Sequence, residues 1–163
     1  GTAAEGMAGL NLSLTTMISV IISESLILSV INDMTDKEII DYWIDSSLID
    51  YKAMESLFGN GHYVWTLFIG HLVIEKLLKA FYVKAVDRNA PQIHHLLRIA
   101  ELAKLDLTET QKDFLLELTA FNIRARYPDY KRRFYLKATK DFTEAYLNKI
   151  KELREWLLKE LRN

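Results

Sequence analysis

A segment dense in cations and aromatic rings, FNIRARYPDYKRRFY, occupies residues 121–135. Beside Pro128 and Asp129, the residues in it that have the right chemistry for binding an anion are Arg124, Arg126, Tyr127, Tyr130, Lys131, Arg132 and Arg133. Burying an unpaired guanidinium group is too costly for such a segment to lie in a core. The composition therefore predicts a solvated loop, a cluster of ion pairs or an anion-binding site.

Two interpretations of this segment remain open on its residues alone. In the first, Arg126 and Tyr127 follow the end of a helix, where the helix dipole favours cations, and Asp129 bridges to an arginine. In the second, the guanidinium groups bind phosphate in a bidentate manner and the tyrosines stack on a base. Arg126 is then the first choice for the phosphate contact, because Pro128 fixes the chain directly after it and limits the entropy lost on binding.

The four histidines do not form a recognisable metal site. His71 and Glu75 have the i, i+4 spacing that places two ligands on one helical face, but a zinc site needs three or four ligands. His71 also lies on an apolar stripe, which favours a hydrogen-bonded core histidine. His94 and His95 are adjacent, so their rings point about 100° apart on a helix and cannot face one ion. We therefore expect no metal and no cofactor.

Other familiar catalytic arrangements are missing from the sequence. It contains no cysteine, which excludes disulfides, thiolate zinc sites and cysteine nucleophiles and fits a cytoplasmic location. It also has no glycine-rich phosphate loop and no nucleophile elbow. Lys76, Lys79 and Lys84 are most simply a solvated helix face, with Glu75 able to pair with Lys79 at i, i+4.

The composition is that of one globular domain with a sizeable core. The chain has 163 residues, 50% hydrophobic and 26% charged, and its formal net charge is -1. Because the chain is not basic overall, any site for an anion must be local.

The hydrophobic pattern is helical from Thr35 onward. Thr35-x-x-Glu38 and Thr108-x-x-Gln111 are capping-box patterns that predict helix starts. The longest and most apolar helix is predicted at residues 62–86, with Gly70 and Ala80 small enough to admit a neighbouring helix. Further helices are predicted from Pro91, which opens a short one, and after Thr139. The expected fold is all-α, an up-down antiparallel bundle of four long helices plus a short helix.

Residues 1–34 differ from the rest and are treated as a separate apolar extension, with residues 35–163 as the helical domain. Residues 10–31 are apolar and long enough to resemble a membrane span, but Glu24 and frequent hydroxyl groups interrupt them. A signal peptide would need a basic start, which is missing. We expect an extra helix or ordered arm rather than a membrane segment. Met34 is also a possible natural start, with the preceding residues non-native.

Residues 36–160 resemble the HEPN family of small helical domains. The resemblance depends on HLVIEKLLKAFYVK at residues 71–84, PQIHHLLRIAELA at residues 91–103 and FNIRARYPDY at residues 121–130. The order and spacing of these motifs match the family over nearly the whole chain after Met34. EKLLKA and RARYPD are fairly specific when they occur together.

The resemblance implies a function related to RNA or nucleotides, and a homodimer. Many HEPN proteins are metal-independent ribonucleases with an arginine followed four to six residues later by a histidine. After Arg124 and Arg126, these positions hold no histidine, and the last histidine is His95. The chain thus resembles the non-catalytic members encoded beside minimal nucleotidyltransferases, so we expect a nucleotide- or RNA-binding partner of such an enzyme in a toxin–antitoxin type of pair. The alternatives are an atypical ribonuclease and a purely structural dimer.

The expected binding site combines the basic segment with the second helix. Arg124, Arg126, Tyr127 and Tyr130 are expected to line a groove, and Lys131, Arg132 and Arg133 to form its rim. The resemblance further implies that Lys76 and Lys79 approach it from the EKLLKA motif. Asp129 is expected to orient one arginine. The wide apolar stripes and Trp43, Trp65 and Trp156 add to the expectation of a homodimer.

Overall fold

The protein is all-α, as predicted. The computed structural model describes the backbone of residues 13–163 and their side chains, except those of residue 31 and residues 128–131. Every regular element in this part of the chain is a helix. The contacts divide the chain into two compact units, Gly1–Met34 and Thr35–Asn163.

In the first unit, the described residues form helix α1 (Leu14–Asp33). Its large apolar side chains are exposed on all sides, from Leu14 and Met17 to Leu28 and Val30. Ser13 accepts a hydrogen bond from the backbone N–H of Thr16 at 3.2 Å and so satisfies one N–H of the first turn. Within residues 13–163, no helix is long and apolar enough to cross a membrane.

The second unit is built around one central helix. Its elements are α2 (Asp36–Gly59), α3 (Tyr63–Ala85), α4 (Leu96–Leu102), α5 (Glu109–Arg126), α6 (Pro128–Lys137) and α7 (Lys140–Arg162). Helix α3 contacts each of the other five. It is also the most extensively buried helix, because its apolar residues lie on more than one face.

The two helix starts predicted from capping boxes are confirmed. The Thr35 hydroxyl accepts from the N–H of Glu38 at 3.2 Å, and the Glu38 carboxylate accepts from the N–H of Thr35 at 2.7 Å. Thr108 and Gln111 form the same reciprocal pair at the start of α5. Such pairs satisfy backbone N–H groups that the helix itself leaves unpaired.

The basic segment is helical, and its interpretation as a loop is wrong. Helix α5 continues to Arg126, and after Tyr127 alone, Pro128 begins α6. Proline suits the first turn of a helix because the missing N–H has no helical partner there. The Phe134 ring packs on the Phe121 ring at 5.1 Å between centroids, which fastens α6 to α5.

The short helix begins later than the sequence suggested. Its first residue is Leu96 rather than Pro91, and the His95 side chain caps it by accepting from the N–H of Arg98 at 3.2 Å. The residues before it, including His94, therefore form an irregular connection from α3 to α4.

A glycine allows the close approach of helices to α3. A Cβ atom added at Gly70 would lie 2.5 Å from Cδ1 of Ile150 on α7 and 3.2 Å from the sulfur of Met54 on α2. The prediction that Gly70 admits a neighbouring helix is thus confirmed, and two helices use the space.

We expect Gly70→Ala to lower the free energy of unfolding by about 1 kcal/mol. The overpacking penalty of about 1–3 kcal/mol exceeds the gain of about 1 kcal/mol in helix propensity. Urea denaturation followed by circular dichroism measures the difference. Gly59→Ala is the matched control, because a Cβ there meets nothing within 4 Å. Equal stability of Gly70→Ala and the unchanged protein would contradict the packing described.

Candidate functional site

A buried carboxylate organises the polar residues on α3. Glu75 is 5% exposed, and its Oε1 accepts a hydrogen bond from Nζ of Lys79 at 2.8 Å. Both of its oxygens lie 3.1 Å from Nδ1 of His94 in the connection between α3 and α4. Carboxylate oxygens only accept, so His94 donates from Nδ1. Glu75 thus ties this connection to α3.

His71 lies one turn before Glu75 and is completely buried. Its Nε2 is 2.9 Å from the carbonyl oxygen of His94, which requires that Nε2 carries the proton. Nδ1 is then an acceptor, and Nδ2 of Asn122 on α5 donates to it at 3.1 Å. The prediction that His71 is a hydrogen-bonded core histidine is confirmed.

Burial keeps His71 neutral. Desolvation lowers its pKa from 6.5 to about 4, because a buried site disfavours the charged imidazolium. The hydrogen bond to the carbonyl of His94 and the nearby Glu75 oppose this shift, while the charges of His94 and Arg126 add to it.

Arg126 lies at the edge of the polar cluster that is formed by His71, Glu75, Lys79, His94 and Asn122, and it extends from this cluster to the surface. Its Nε donates to the backbone carbonyl of Asn122 at 3.2 Å, while the side chain as a whole is exposed. A guanidinium group has five N–H donors, so this contact leaves the two terminal nitrogens available. Among the described side chains, no carboxylate forms an ion pair with Arg126.

Asn122 is the least satisfied member of the cluster. It is 4% exposed, and its Oδ1 has no hydrogen-bond partner among the described residues. Its amide orientation follows from the protonation of His71, since only Nδ2 can donate to the unprotonated Nδ1. The cluster thus has one buried acceptor in addition to its cations.

The two arginines that were expected to line one groove, Arg124 and Arg126, lie on different sides of α5. Residues two positions apart leave a helix about 200° apart, so Arg124 and Arg126 do not lie side by side. Arg126 contacts the carbonyl of Asn122, whereas the positive charge of Arg124 tends to lower the pKa of Tyr146 on α7. The pKa of Tyr146 is nevertheless raised, chiefly by burial.

The remaining residues of the segment lie along the α5–α6 corner. Tyr127, Arg132 and Arg133 are exposed. The side chains of Asp129, Tyr130 and Lys131 lie outside the described residues, so their expected roles stay predictions.

Of the three lysines of α3 that were expected to form a solvated face, Lys84 is exposed, Lys76 is half-buried and Lys79 is buried. Lys79 is 7% exposed and lies between Glu75 and the Trp43 ring, 5.5 Å from the ring centroid. Lys76 pairs with Asp50 of α2 at 2.5 Å. Each has its own carboxylate partner, so neither supplies a free cation to the surface at Arg126, contrary to expectation.

The described surface also has a groove between α5 and α7, with a volume of about 460 Å³. Its charged lining residues are Asp113, Glu117, Glu152 and Lys149, with Phe114 and Trp156 beside them. Three carboxylates against one ammonium group repel phosphate, so this groove is not the anion site. No cluster of three possible metal ligands occurs in the described part of the chain.

Two members of the cluster were missed in the sequence. Asn122 carries no distinctive signal, although it is part of the FNIRARYPDY motif. The contact of His94 with Glu75 depends on how the α3–α4 connection folds back over α3, which the spacing of residues does not reveal.

The buried His71 makes stability depend on pH. Above pH 6.5 the neutral form is favoured in both states, whereas between pH 6.5 and about 4 only the unfolded chain gains the proton. We expect His71 to remove up to about 3 kcal/mol from the free energy of unfolding over this window. Urea denaturation at several pH values measures this free energy, which should change less between pH 6.5 and about 4 for His71→Gln than for the unchanged protein.

His62→Gln is the control for this experiment, because His62 is exposed at the start of α3. Its profile should follow that of the unchanged protein. Parallel profiles for His71→Gln and the unchanged protein would contradict this prediction, because they would show that the pKa of His71 is the same in the folded and unfolded states.

Comparisons with known proteins agree with this architecture. The protein TT1696 from Thermus thermophilus has a similar crystal structure, with a TM-score of 0.62 and 20% sequence identity over 74% of this chain and 96% of that one. No curated protein matches the sequence. The family model described as "HEPN domain" matches residues 40–161. The chain therefore belongs to the HEPN domain family.

Proposed function

We propose that the protein is a nucleotide- or RNA-binding helical module that binds phosphate at Arg126. The observation that supports this most directly is the state of the Arg126 side chain. It is exposed and held through Nε to its own helix, and no described carboxylate pairs with it. Its terminal nitrogens thus form a preoriented fork, the geometry that suits a phosphate group.

The start of α6 adds to this positive surface. Tyr127 lies between the two helices, and its side chain makes no capping hydrogen bond to α6. The N-terminus of a helix has a partial positive charge and free N–H groups, which favour anions. Arg132 and Arg133 are exposed on the same helix. A phosphodiester chain passing Arg126 would thus meet further positive charge along α6.

The helix-end interpretation explains only part of this arrangement. Arg124 and Arg126 are both in the last turn of α5, where the dipole favours cations. The contact of Arg126 Nε with the carbonyl of Asn122 is also of the helix-end kind, but it uses only one of the five N–H donors. The terminal nitrogens, which no described carboxylate pairs with, are what favours the binding function.

Binding without cleavage is the form of this function that the sequence favours. The arginine-histidine motif of the ribonuclease members of the family is missing after Arg126. We also propose that the chain partners a minimal nucleotidyltransferase in a toxin–antitoxin type of pair. This part of the proposal rests on family membership and on the missing motif.

We expect Arg126→Ala to weaken binding about ten- to a hundredfold. A charge-assisted hydrogen bond contributes roughly 1.5–3 kcal/mol. Calorimetry with ATP, GTP and a short RNA measures the affinity, and circular dichroism checks the fold. Binding should also weaken with added salt, since phosphate is the main target.

Arg162→Ala is the matched control, because Arg162 is an exposed arginine in the last turn of α7. It should bind as the unchanged protein does. If none of the three ligands gives heat, or if Arg126→Ala binds as tightly as the control, the proposed function is wrong.

We propose further that the protein works as a homodimer that buries an interface of about 1,600 Å². Several large apolar side chains are exposed on α5, on α6 and between them, among them Leu116 and Ile123 on α5, Tyr127 between the helices, and Tyr135 and Leu136 on α6. Of the three tryptophans expected to add apolar surface, only Trp65 is exposed. The proposed dimer interface is therefore based on the exposed apolar side chains of α5 and α6. Exposed apolar patches of this kind commonly mark interfaces between proteins.

We expect light scattering to give twice the chain mass of 18.9 kDa at micromolar concentration. Ile123→Asp should shift the mass toward the monomer, because it places a charge within the apolar stripe of α5. Ile49→Asp on α2 is the control, since Ile49 is also exposed. A monomer mass for the unchanged protein would contradict the dimer, and a dimer of Ile123→Asp would contradict this interface.

A further inference from the structure

The imidazole of His94 is fixed by a hydrogen bond at Nδ1, whereas its Nε2 has no hydrogen-bond partner among the described residues. Nδ1 donates to the buried carboxylate of Glu75, while the His94 side chain is 62% exposed. No described residue hydrogen-bonds to its Nε2. A ring fixed through one nitrogen presents the other nitrogen in a defined direction, as in carboxylate–histidine pairs that orient a ligand-binding imidazole.

A short chain of hydrogen bonds joins His94 to Arg126. The carbonyl of His94 accepts from Nε2 of His71 at 2.9 Å, and Nδ1 of His71 accepts from Asn122 at 3.1 Å. The carbonyl of Asn122 accepts from Nε of Arg126 at 3.2 Å. His71 thus lies between the two residues. Their charges also both act on the His71 ring, which agrees with this placement.

The charged groups around His94 are paired in a way that favours binding of an anion. On α3, the negative charge of Glu75 is already matched by Lys79, and His71 is neutral. On α5, Arg126 is the charged residue at the end of the hydrogen-bond chain that begins at His94. Around α4, Arg98 pairs with Glu101 at 3.5 Å, and His95 caps the helix. A proton on His94 therefore leaves the His94–Arg126 surface with excess positive charge, which a phosphate group would neutralise.

We propose that His94, oriented by Glu75, is a second phosphate ligand beside Arg126 and binds the anion in its protonated form. This inference rests on the proposed function, because it places His94 at the same site. Imidazole commonly gains its proton between pH 5 and 8, so binding takes up a proton and strengthens as the pH falls. Glu75 is a positioning residue here, since it acts through the ring of His94.

A purely structural role for the contact predicts a different result. If His94 only fastens the α3–α4 connection, its loss changes stability and leaves the pH dependence of binding unchanged. The readout must therefore be the linkage between binding and protonation, in addition to affinity.

The probe is a short RNA without terminal phosphates, because its phosphodiester groups do not titrate near neutral pH. Calorimetry at about pH 6, 7 and 8, at constant ionic strength, should show affinity rising about tenfold from the highest to the lowest pH. Repeating it in buffers of different ionisation enthalpy should show proton uptake by the unchanged protein. His94→Gln should lose most of both effects, and His62→Gln, an exposed histidine at the start of α3, should keep them.

The outcomes separate this inference from the proposed function. If the unchanged protein binds no RNA at any pH, the inference fails, and the proposed function fails with it if ATP and GTP also give no heat. If Arg126→Ala weakens binding but His94→Gln retains the proton uptake of the unchanged protein, the inference about His94 is wrong and the proposed function stands. If His94→Gln does not fold, the unchanged protein still gives an answer, because binding without proton uptake overturns the inference.

Discussion

The carboxylate of Glu75 is the constraint on which the rest of the polar architecture depends. It is buried on the central helix and receives hydrogen bonds from Lys79 and His94. An isolated carboxylate would be too costly to bury, so these partners are required for the fold. The same contacts determine where the α3–α4 connection lies. The position of His94, in turn, provides the carbonyl group that keeps the proton of His71 on Nε2.

This arrangement explains why an apolar helix carries so many polar residues. Removing one partner of a buried ion pair is strongly destabilising, typically by about 3–5 kcal/mol, whereas the intact pair contributes little net stability. The main effect of the cluster is therefore to fix the positions of neighbouring segments relative to α3. It holds the α3–α4 connection against α3 through His94, and α5 against α3 through Asn122. Arg126 is positioned at the edge of this network, where it meets the solvent.

Much of the fold follows from local sequence patterns. The capping residues Thr35, Thr108 and Thr139 mark helix starts through contacts within three residues, so they could be identified without knowledge of the tertiary structure. The buried position of His71 followed from its place on an apolar stripe. Helix α6 was missed because Pro128 was interpreted as a break, and only the packing of Phe134 on Phe121 shows that the chain resumes a helix there. The burial of Lys79 was also missed. Because Lys79 lies one turn after Lys76, it resembles a residue of a solvated face when its contacts with Glu75 and the Trp43 ring are not known.

The central claim is that the Arg126 guanidinium group binds phosphate directly. The most direct test is nitrogen NMR of the arginine side chains during titration with a short RNA. If the claim is right, the Nε resonance of Arg126 shifts in a saturable manner and that of Arg162, an exposed arginine of α7, stays in place. Equal, unsaturated shifts of both resonances, or no shift of Arg126, would contradict it.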